Sequence, residues 1–410
     1  MKRSGLAILL VAVLVIAGFG GYQLWQQIRG AGPAFLPPSA DIETIIDNAA
    51  KPTQSNTSFP LTLPDNFSIS IFASELSKPR VLITDPAGVL LVSDTDAGKI
   101  IALPDTNRDG RADEAITVAD NLNAPHGLAI TCETAEGCIL YVAETDAVMH
   151  YQYDQQTHTA SGPKKIIDLP GGGGHSTRTL LLTKTAEGNK LLISVGSSCN
   201  VCNETDSRRA SVLVADLDGK NLRPFATGLR NSVFLRTEPE TQAIWATEMG
   251  RDLLGDDIPP DEINILKDGG NYGWPACYGK NVHDTDFDKS KTDPCQTRTP
   301  SHINLQAHSA PLGFAFVPAT GWPTDWAGDM ILAFHGSWNR SEPTGYKLVR
   351  LELDDQGDFV AQHDFIDGWL QSNDTTLGRP VDVLMQADGT MYITDDKEGV
   401  GLVYLVRYAP

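Results

Sequence analysis

The chain has 410 residues, 41% of them hydrophobic and 20% charged, which is enough apolar material for a large core. Its formal charge of -20 excludes nucleic acid as a natural partner, because the phosphates would be repelled. A small neutral substrate is compatible with that charge.

Lys2 and Arg3 precede residues 5–25, which carry no charge, and residues 6–19 are strongly apolar. The run is long enough for a signal-peptide core and nearly long enough for a span. Positive charge ahead of it places the N-terminus in the cytoplasm and the rest of the chain outside. Gly18-Phe19-Gly20 is only a fair match to a small-x-small cleavage site, which favours an uncleaved anchor over a removed signal peptide. We therefore divide the chain into an anchor or signal segment at 1–29, a linker at 30–60 and one domain at 61–410. The expected location is the periplasmic side of the inner membrane, with secretion after cleavage as the alternative. The linker is rich in Pro, Ala, Ser and Asn and shows no sustained periodicity, apart from a short helical pattern at 41–50.

The six cysteines fit an exported chain and fall into three local pairs: Cys132 with Cys138, Cys199 with Cys202, and Cys277 with Cys295. Cys199-Asn-Val-Cys202 matches a metal or redox spacing, but no second CxxC or nearby histidine accompanies it. Asn203 follows Cys202, so this is not a haem attachment. Disulfides are expected for all three pairs.

From Phe67 the pattern changes, with Phe67, Ile69 and Ile71 alternating with Ser68 and Ser70 as in a half-buried strand. One unit then recurs: an acidic or Gly-rich turn, a hydrophobic strand ending in a polar residue, and a link to another strand. It stands at 85–94, 135–144, 186–195, 239–248, 327–335 and 387–395. Most repeats lie about 50 residues apart, within the range of propeller blades. The longer fourth interval marks residues 271–306 as an insertion. Six units predict an all-β, six-bladed β-propeller with four-stranded antiparallel blades. The strand near Phe67 would close the ring beside 402–408. The hydrophobic strands of the repeats are read as innermost, so their polar ends would face one channel mouth. A two-sheet sandwich is the alternative, but it gives no reason for six similar units.

Several stretches carry chemistry at strand ends. Gly171-Gly-Gly-Gly-His175-Ser-Thr-Arg178 runs into a strand, and histidine takes a proton near neutrality. Alone it reads as a flexible loop with an incidental histidine. Asp105, Asn107, Asp109 and Asp113 alternate around Gly110, as at the start of a calcium loop, but Ile116 stands where the bidentate Glu belongs. Either a structural calcium or a solvated acidic turn fits. Arg230, Asn231, Arg251, His308, His335, Asn339, Arg340 and Arg379 also sit near expected blade ends. Arginines 230, 251, 340 and 379 are expected to face one cavity and suit a planar ligand bearing carboxylates. The glycine turn at Gly250 and Arg251 exposes backbone carbonyls of the kind calcium takes.

Taken in order, these motifs resemble the sorbosone and glucose dehydrogenase family that uses pyrroloquinoline quinone (PQQ). The carrying stretches are Gly174-His175 with Arg178, 194–198, Gly228-Leu-Arg-Asn231, 268–275, 307–313, 335–340 with 343–347, and 378–381. They span roughly 61–408 and look closer to the sorbosone branch. The resemblance implies PQQ over the channel, a calcium ion beside it, a small sugar substrate and an external acceptor, a quinone or cytochrome. It makes His175 the general base and places the carbonyls of Gly250 and Arg251 on calcium. It assigns cofactor contacts to Arg178, Arg230, Asn231, His308, His335, Asn339, Arg340 and Arg379. Ser232 stands where the family has a proline, and the lysine contact of the glucose enzymes has no match. A calcium-dependent lactonase on the same fold and a non-catalytic binding propeller are the competing readings.

Overall fold

The computed structural model describes residues 18, 20–38, 42, 43, 46, 60–134, 137–185, 187–399 and 401–410. Six sheets built on four antiparallel strands follow one another around a ring, as the repeats predict, and blade 3 carries Gly270–Asn271 as a fifth strand parallel to Arg223–Thr227. Blade 1 runs Pro79–Thr84, Leu90–Asp94, Lys99–Leu103, Ile116–Ala119, and blade 2 runs Leu128–Thr134, Gly137–Ala143, Ala147–Asp154, Thr159–Asp168. Blade 3 runs Leu180–Thr185, Gly188–Val195, Ser211–Asp216, Arg223–Thr227, and blade 4 runs Leu235–Thr237, Ile244–Glu248, Asp261–Leu266, Ile303–Leu305. Blade 5 runs Pro311–Phe316, Met330–Phe334, Lys347–Leu353, Phe359–Ile366. Blade 6 takes Pro380–Met385, Met391–Asp395 and Leu402–Tyr408 from the end of the chain and Phe67–Ala73 from near its start. The closing strand pairs antiparallel with the last one, from Phe67 opposite Tyr408 to Ile71 opposite Tyr404.

The repeat strands are the second of each blade, not the innermost as expected. The innermost are the six that precede them, which meet their neighbours across the channel. The reason lies in burial. Leu90–Asp94, Ile244–Glu248 and Met330–Phe334 are buried at every position, because a neighbouring blade covers each face. That produces the unbroken apolar runs that the sequence shows most loudly. The site is unaffected, because the pairs Pro79 with Asp94, Pro311 with Phe334 and Pro380 with Asp395 are antiparallel. Innermost strands therefore begin, and second strands end, on one shared face.

The insertion lies inside blade 4, and its boundary needs correcting, since Ile303–Leu305 is the outer strand of that blade. The rest holds the short hairpin Cys277–Tyr278 with Val282–His283. All three expected disulfides are present.

The anchor reading falls largely on residues 1–17 and 19, outside the described residues. Residues 20–28 are helical, and no described helix is long and apolar enough to cross a membrane. The described part of the stretch read as a tether is docked on the propeller. Gly30 N donates to Arg340 O at 2.9 Å and Lys397 Nζ to Pro33 O at 2.9 Å. Ile42 and Ile46 are buried in one apolar cluster with Leu61 and Trp369.

Candidate active site

The glycine loop is held rigidly from beneath. Arg209 Nη2 donates to the carbonyls of Pro170 at 3.0 Å, Gly171 at 2.8 Å and Gly172 at 2.5 Å. Arg178, fully buried, donates from Nη1 to His175 O at 3.0 Å and Thr177 O at 2.7 Å, and from Nη2 to Pro170 O at 2.9 Å. Arg178 thus turns both Nη atoms onto its own loop, where the sequence resemblance assigns it a cofactor, and its Nε is buried without a partner. Gly173 adopts φ 87°, and a Cβ there would lie 2.9 Å from Ser198 Cα. This glycine lets two loops pack, whereas nothing lies within 4 Å of a Cβ built on Gly172.

The clamped loop presents His175. Its Nδ1 lies 3.0 Å from both the carbonyl and the hydroxyl oxygen of Ser197, and Ser197 Oγ donates onward to Cys199 O at 2.6 Å. A carbonyl only accepts, so Nδ1 carries the proton and Nε2 keeps its lone pair. Nε2 makes no hydrogen bond to a described residue. Burial, then the positive charges of Arg230, Arg178 and Arg209, hold the imidazole down to about 3 against one bond to the Ser197 carbonyl that raises it. His175 is therefore a neutral base with one fixed tautomer. A Cβ on Gly196 would lie 2.6 Å from His175 Cβ and 2.5 Å from Asn231 Oδ1, so His175 and Asn231 flank this glycine.

Arg230 and the turn after the second strand of blade 4 form the next layer. Arg230 donates to Asn200 O at 2.9 Å, Asn200 Oδ1 at 3.0 Å and Asp252 Oδ2 at 2.7 Å. Asn339 Nδ2 donates to Asp252 Oδ1 at 3.1 Å and to His308 Nδ1 at 3.2 Å, while His308 Nε2 donates to Gly255 O at 2.8 Å. One network thus joins Asn200, Arg230, Asp252, His308 and Asn339 across blades 3, 4 and 5. Ser232 Oγ, at the position of the family's proline, donates to Glu248 Oε2 at 2.5 Å, and Asn231 N donates to Oε1 at 2.8 Å. Burial pushes Glu248 up to about 8, so it stands largely as a neutral acid beneath Asn231.

Gly250 N is fixed by Asp261 Oδ1 at 2.9 Å. The side chain of Arg251 leaves the mouth and pairs with Asp284 at 2.7 Å, so the expected four-arginine cavity lacks this member. Its Nε is buried without a partner, as is Trp274 Nε1, and both residues line a small cavity with Glu248 and Glu262. Arg340 donates to Asp256 O and, at 3.3 Å, to Ala307 O. Arg379 donates to the carbonyls of His335 at 3.1 Å and Gly336 at 2.8 Å and lies over the Tyr346 ring. His335 Nε2 pairs with Asp396 at 2.6 Å, and Asp396 also pairs with Arg80 at 2.5 Å.

Sequence reading missed Arg80, Asn200, Arg209, Asp252, Asp396 and Lys397. Asp396 and Lys397 directly follow the last repeat, so the repeat logic could have found them. Asn200 was hidden inside a pair of cysteines read only as a staple. The loop of Asp105, Asn107, Asp109 and Asp113 joins the outer strands of blade 1 on the opposite face. Its carboxylates cap its own turn: Asp105 accepts from Asp109 N at 3.1 Å and Gly110 N at 3.0 Å, and Asp113 from Thr106 N at 2.7 Å. Among the described residues the one trio of metal-type side chains is Cys199, Cys202 and Glu204, and its two thiols form a disulfide.

A six-bladed propeller with a fixed neutral histidine set among buried arginines at its mouth is the class defined by these features. The chain belongs to the TrAA12-like family, which matches residues 61–409. An uncharacterized protein of Borreliella burgdorferi is 30% identical over 82% of this chain and 88% of its own length. A pyrroloquinoline quinone-dependent sugar dehydrogenase of Hypocrea jecorina is 30% identical over 52% of this chain, and a pyrroloquinoline quinone-dependent pyranose dehydrogenase of Coprinopsis cinerea is 24% identical over 83%. The chain spans only 56% and 54% of the lengths of these two. Among solved structures, a Trichoderma reesei member of carbohydrate-active enzyme family AA12 superposes with TM-score 0.71, at 24% identity over 85% of this chain and 98% of its own. The PQQ domain of the Coprinopsis cinerea pyranose dehydrogenase gives 0.70, at 22% identity over 85% and 97%.

Proposed function

We propose that the protein is a PQQ-dependent dehydrogenase of the sorbosone type, oxidising an aldose or related sugar aldehyde outside the cytoplasmic membrane. The carrying observation is His175, with Nδ1 fixed, Nε2 unengaged and a charge state that leaves it neutral. The family relatives support the cofactor class.

The residues fit such a group. PQQ is planar and bears three carboxylates, and in an acidic chain the mouth gathers Arg80, Arg230, Arg340, Arg379 and Lys397. Arg80 Nε is buried without a partner. Arg230, Asn231, Asn339, Arg340 and Arg379 would hold the cofactor, with His308 and His335 supporting from the rim. The Gly250 and Arg251 carbonyls would take calcium, which acts as a Lewis acid. When bound, the quinone supplies the two-electron acceptor for the hydride leaving the substrate carbon. His175 Nε2 accepts the substrate hydroxyl proton, and Ser197 keeps the ring oriented as it does so. Arg178 and Arg209 keep the loop, and hence Nε2, from drifting. Electrons would pass to an external quinone or cytochrome, with residues 1–29 tethering the domain to the membrane.

The test is dye reduction by purified apoprotein given PQQ, calcium and a panel of aldoses. His175→Ala should lower kcat by roughly 10²–10⁴-fold while cofactor binding, followed by calorimetry, stays nearly intact. Absence of PQQ binding by the intact chain would sink the reading. Lactone hydrolysis without quinone would favour a hydrolase.

A further inference from the structure

We propose that the loop closed by the Cys199–Cys202 disulfide is a positioning element that holds the base and Arg230 in register, with Ser197 and Asn200 as its positioning residues. This rests on the function proposed above. Asn200 lies inside the ring, and Ser197 stands two residues ahead of it, bonded to the ring's first carbonyl. On its first side, Cys199 O accepts from Ser197 Oγ at 2.6 Å, and Ser197 takes His175 Nδ1 at 3.0 Å through two oxygens. On its second side, Asn200 O accepts Arg230 Nε at 2.9 Å, and Asn200 Oδ1 accepts Arg230 Nη2 at 3.0 Å and Asp252 N at 2.7 Å. Asn200 Nδ2 returns a bond to Asp252 O at 3.0 Å. Glu204, two residues past the ring, accepts Ser198 N at 2.5 Å and Ser198 Oγ at 2.8 Å, which ties the two flanks of the ring together.

The ring therefore touches the histidine's support, the arginine and the turn that carries the Gly250 and Arg251 carbonyls. It supplies no reacting atom of its own. Global stapling is a poor account of it. A cross-link gains chain entropy with loop length, and this pair closes a separation of 3 residues, against 6 and 18 for the other two. Its use is local. Without the bond, hydrogen bonds alone hold the Asn200 peptide, and the two sets lose their common covalent frame.

The experiment compares the full chain with Cys199→Ser/Cys202→Ser, Asn200→Ala and Asn200→Asp. Cys132→Ser/Cys138→Ser, which removes a disulfide at a hairpin end away from the mouth, is the control. Thermal unfolding checks that each variant is folded. Asn200→Ala keeps the disulfide and carries the test if the double serine variant does not fold. In dye-linked turnover, Cys199→Ser/Cys202→Ser and Asn200→Ala should lose about 30–100-fold in kcat with KM changed little, as expected of a small misplacement. Asn200→Asp keeps the acceptor oxygen for Arg230 and should recover part of that loss, while the control stays within about twofold.

A second readout needs no cofactor. The charged groups facing His175 are Arg230, Arg178 and Arg209. Histidine NMR titration of the apoprotein should place His175 far below the ordinary value of about 6.5 in the wild type and move it upward in Cys199→Ser/Cys202→Ser and in Asn200→Ala. Folded loop variants with kcat within about threefold of wild type and an unmoved His175 titration would overturn the proposal. If the wild type oxidises no sugar with PQQ, the function fails instead, and the titration still decides the loop.

Discussion

His175 was legible as a residue but not as a site. The sequence shows four glycines and a histidine before a strand, and that pattern also describes a mobile loop. Two buried arginines make the difference. Arg209 lies more than thirty residues downstream, so no local pattern connects it to the loop whose carbonyls it holds. Arg178 was found in sequence, but not its bonds to the loop's own carbonyls, because side-chain direction follows from packing and not from spacing. The histidine's environment fixes a pH prediction. A group depressed to about 3 is neutral above about pH 4. kcat/KM should therefore show no acid limb near 6.5 from this group and should fall only below about pH 4, as a pH–rate profile will show. The same shift subtracts stability as pH drops below about 6.5, because the unfolded chain binds the proton there and the folded one does not. Gly196 yields a further test. A methyl group there meets His175 Cβ at 2.6 Å and Asn231 Oδ1 at 2.5 Å. Gly196→Ala should reduce kcat/KM by about 10²-fold in steady-state assays and lower stability by about 1–3 kcal/mol in urea unfolding.

At the scale of elements, the loudest periodic signal came from the second strand of each blade. Those strands are buried on both faces and read as continuous apolar runs, whereas the innermost strands follow directly on polar mouth segments such as Arg178-Thr179 and Gly378-Arg379. The sequence therefore located every blade and mislabelled the layer. The closing strand was visible because Phe67, Ile69 and Ile71 alternate with serines, and its pairing with 402–408 follows from ring closure. Ile71 is 4% exposed and packs in the cluster of Trp369 and Tyr404. Ile71→Ala should cost about 2–4 kcal/mol in urea unfolding. Starting the chain at residue 75 removes the strand altogether and leaves the edge of 402–408 unpaired. That shortened chain should lose its cooperative transition and aggregate, as size-exclusion chromatography will show.

At the scale of the whole molecule, residues 30–38 lie against blades 5 and 6 through Arg340 and Lys397, so the proposed tether ends at the rim of the mouth. Removing residues 1–29 should shift the protein from the membrane to the soluble fraction of a cell extract. The melting temperature of the remaining chain should stay within about 3 °C, because its docked contacts survive. By itself, the sequence determined the six-fold repeat, the ring closure, the three disulfides and the family resemblance. Each of these rests on local period, local spacing or residue order, all of which a linear chain displays. Only the tertiary structure decided which guanidinium meets which carbonyl. It set Arg178 and Arg209 under the loop, turned Arg251 toward Asp284, and tied Asn200 to Arg230 and Asp252. Those choices depend on which side chains from different blades arrive at the same point, and on burial that makes every unpaired donor costly.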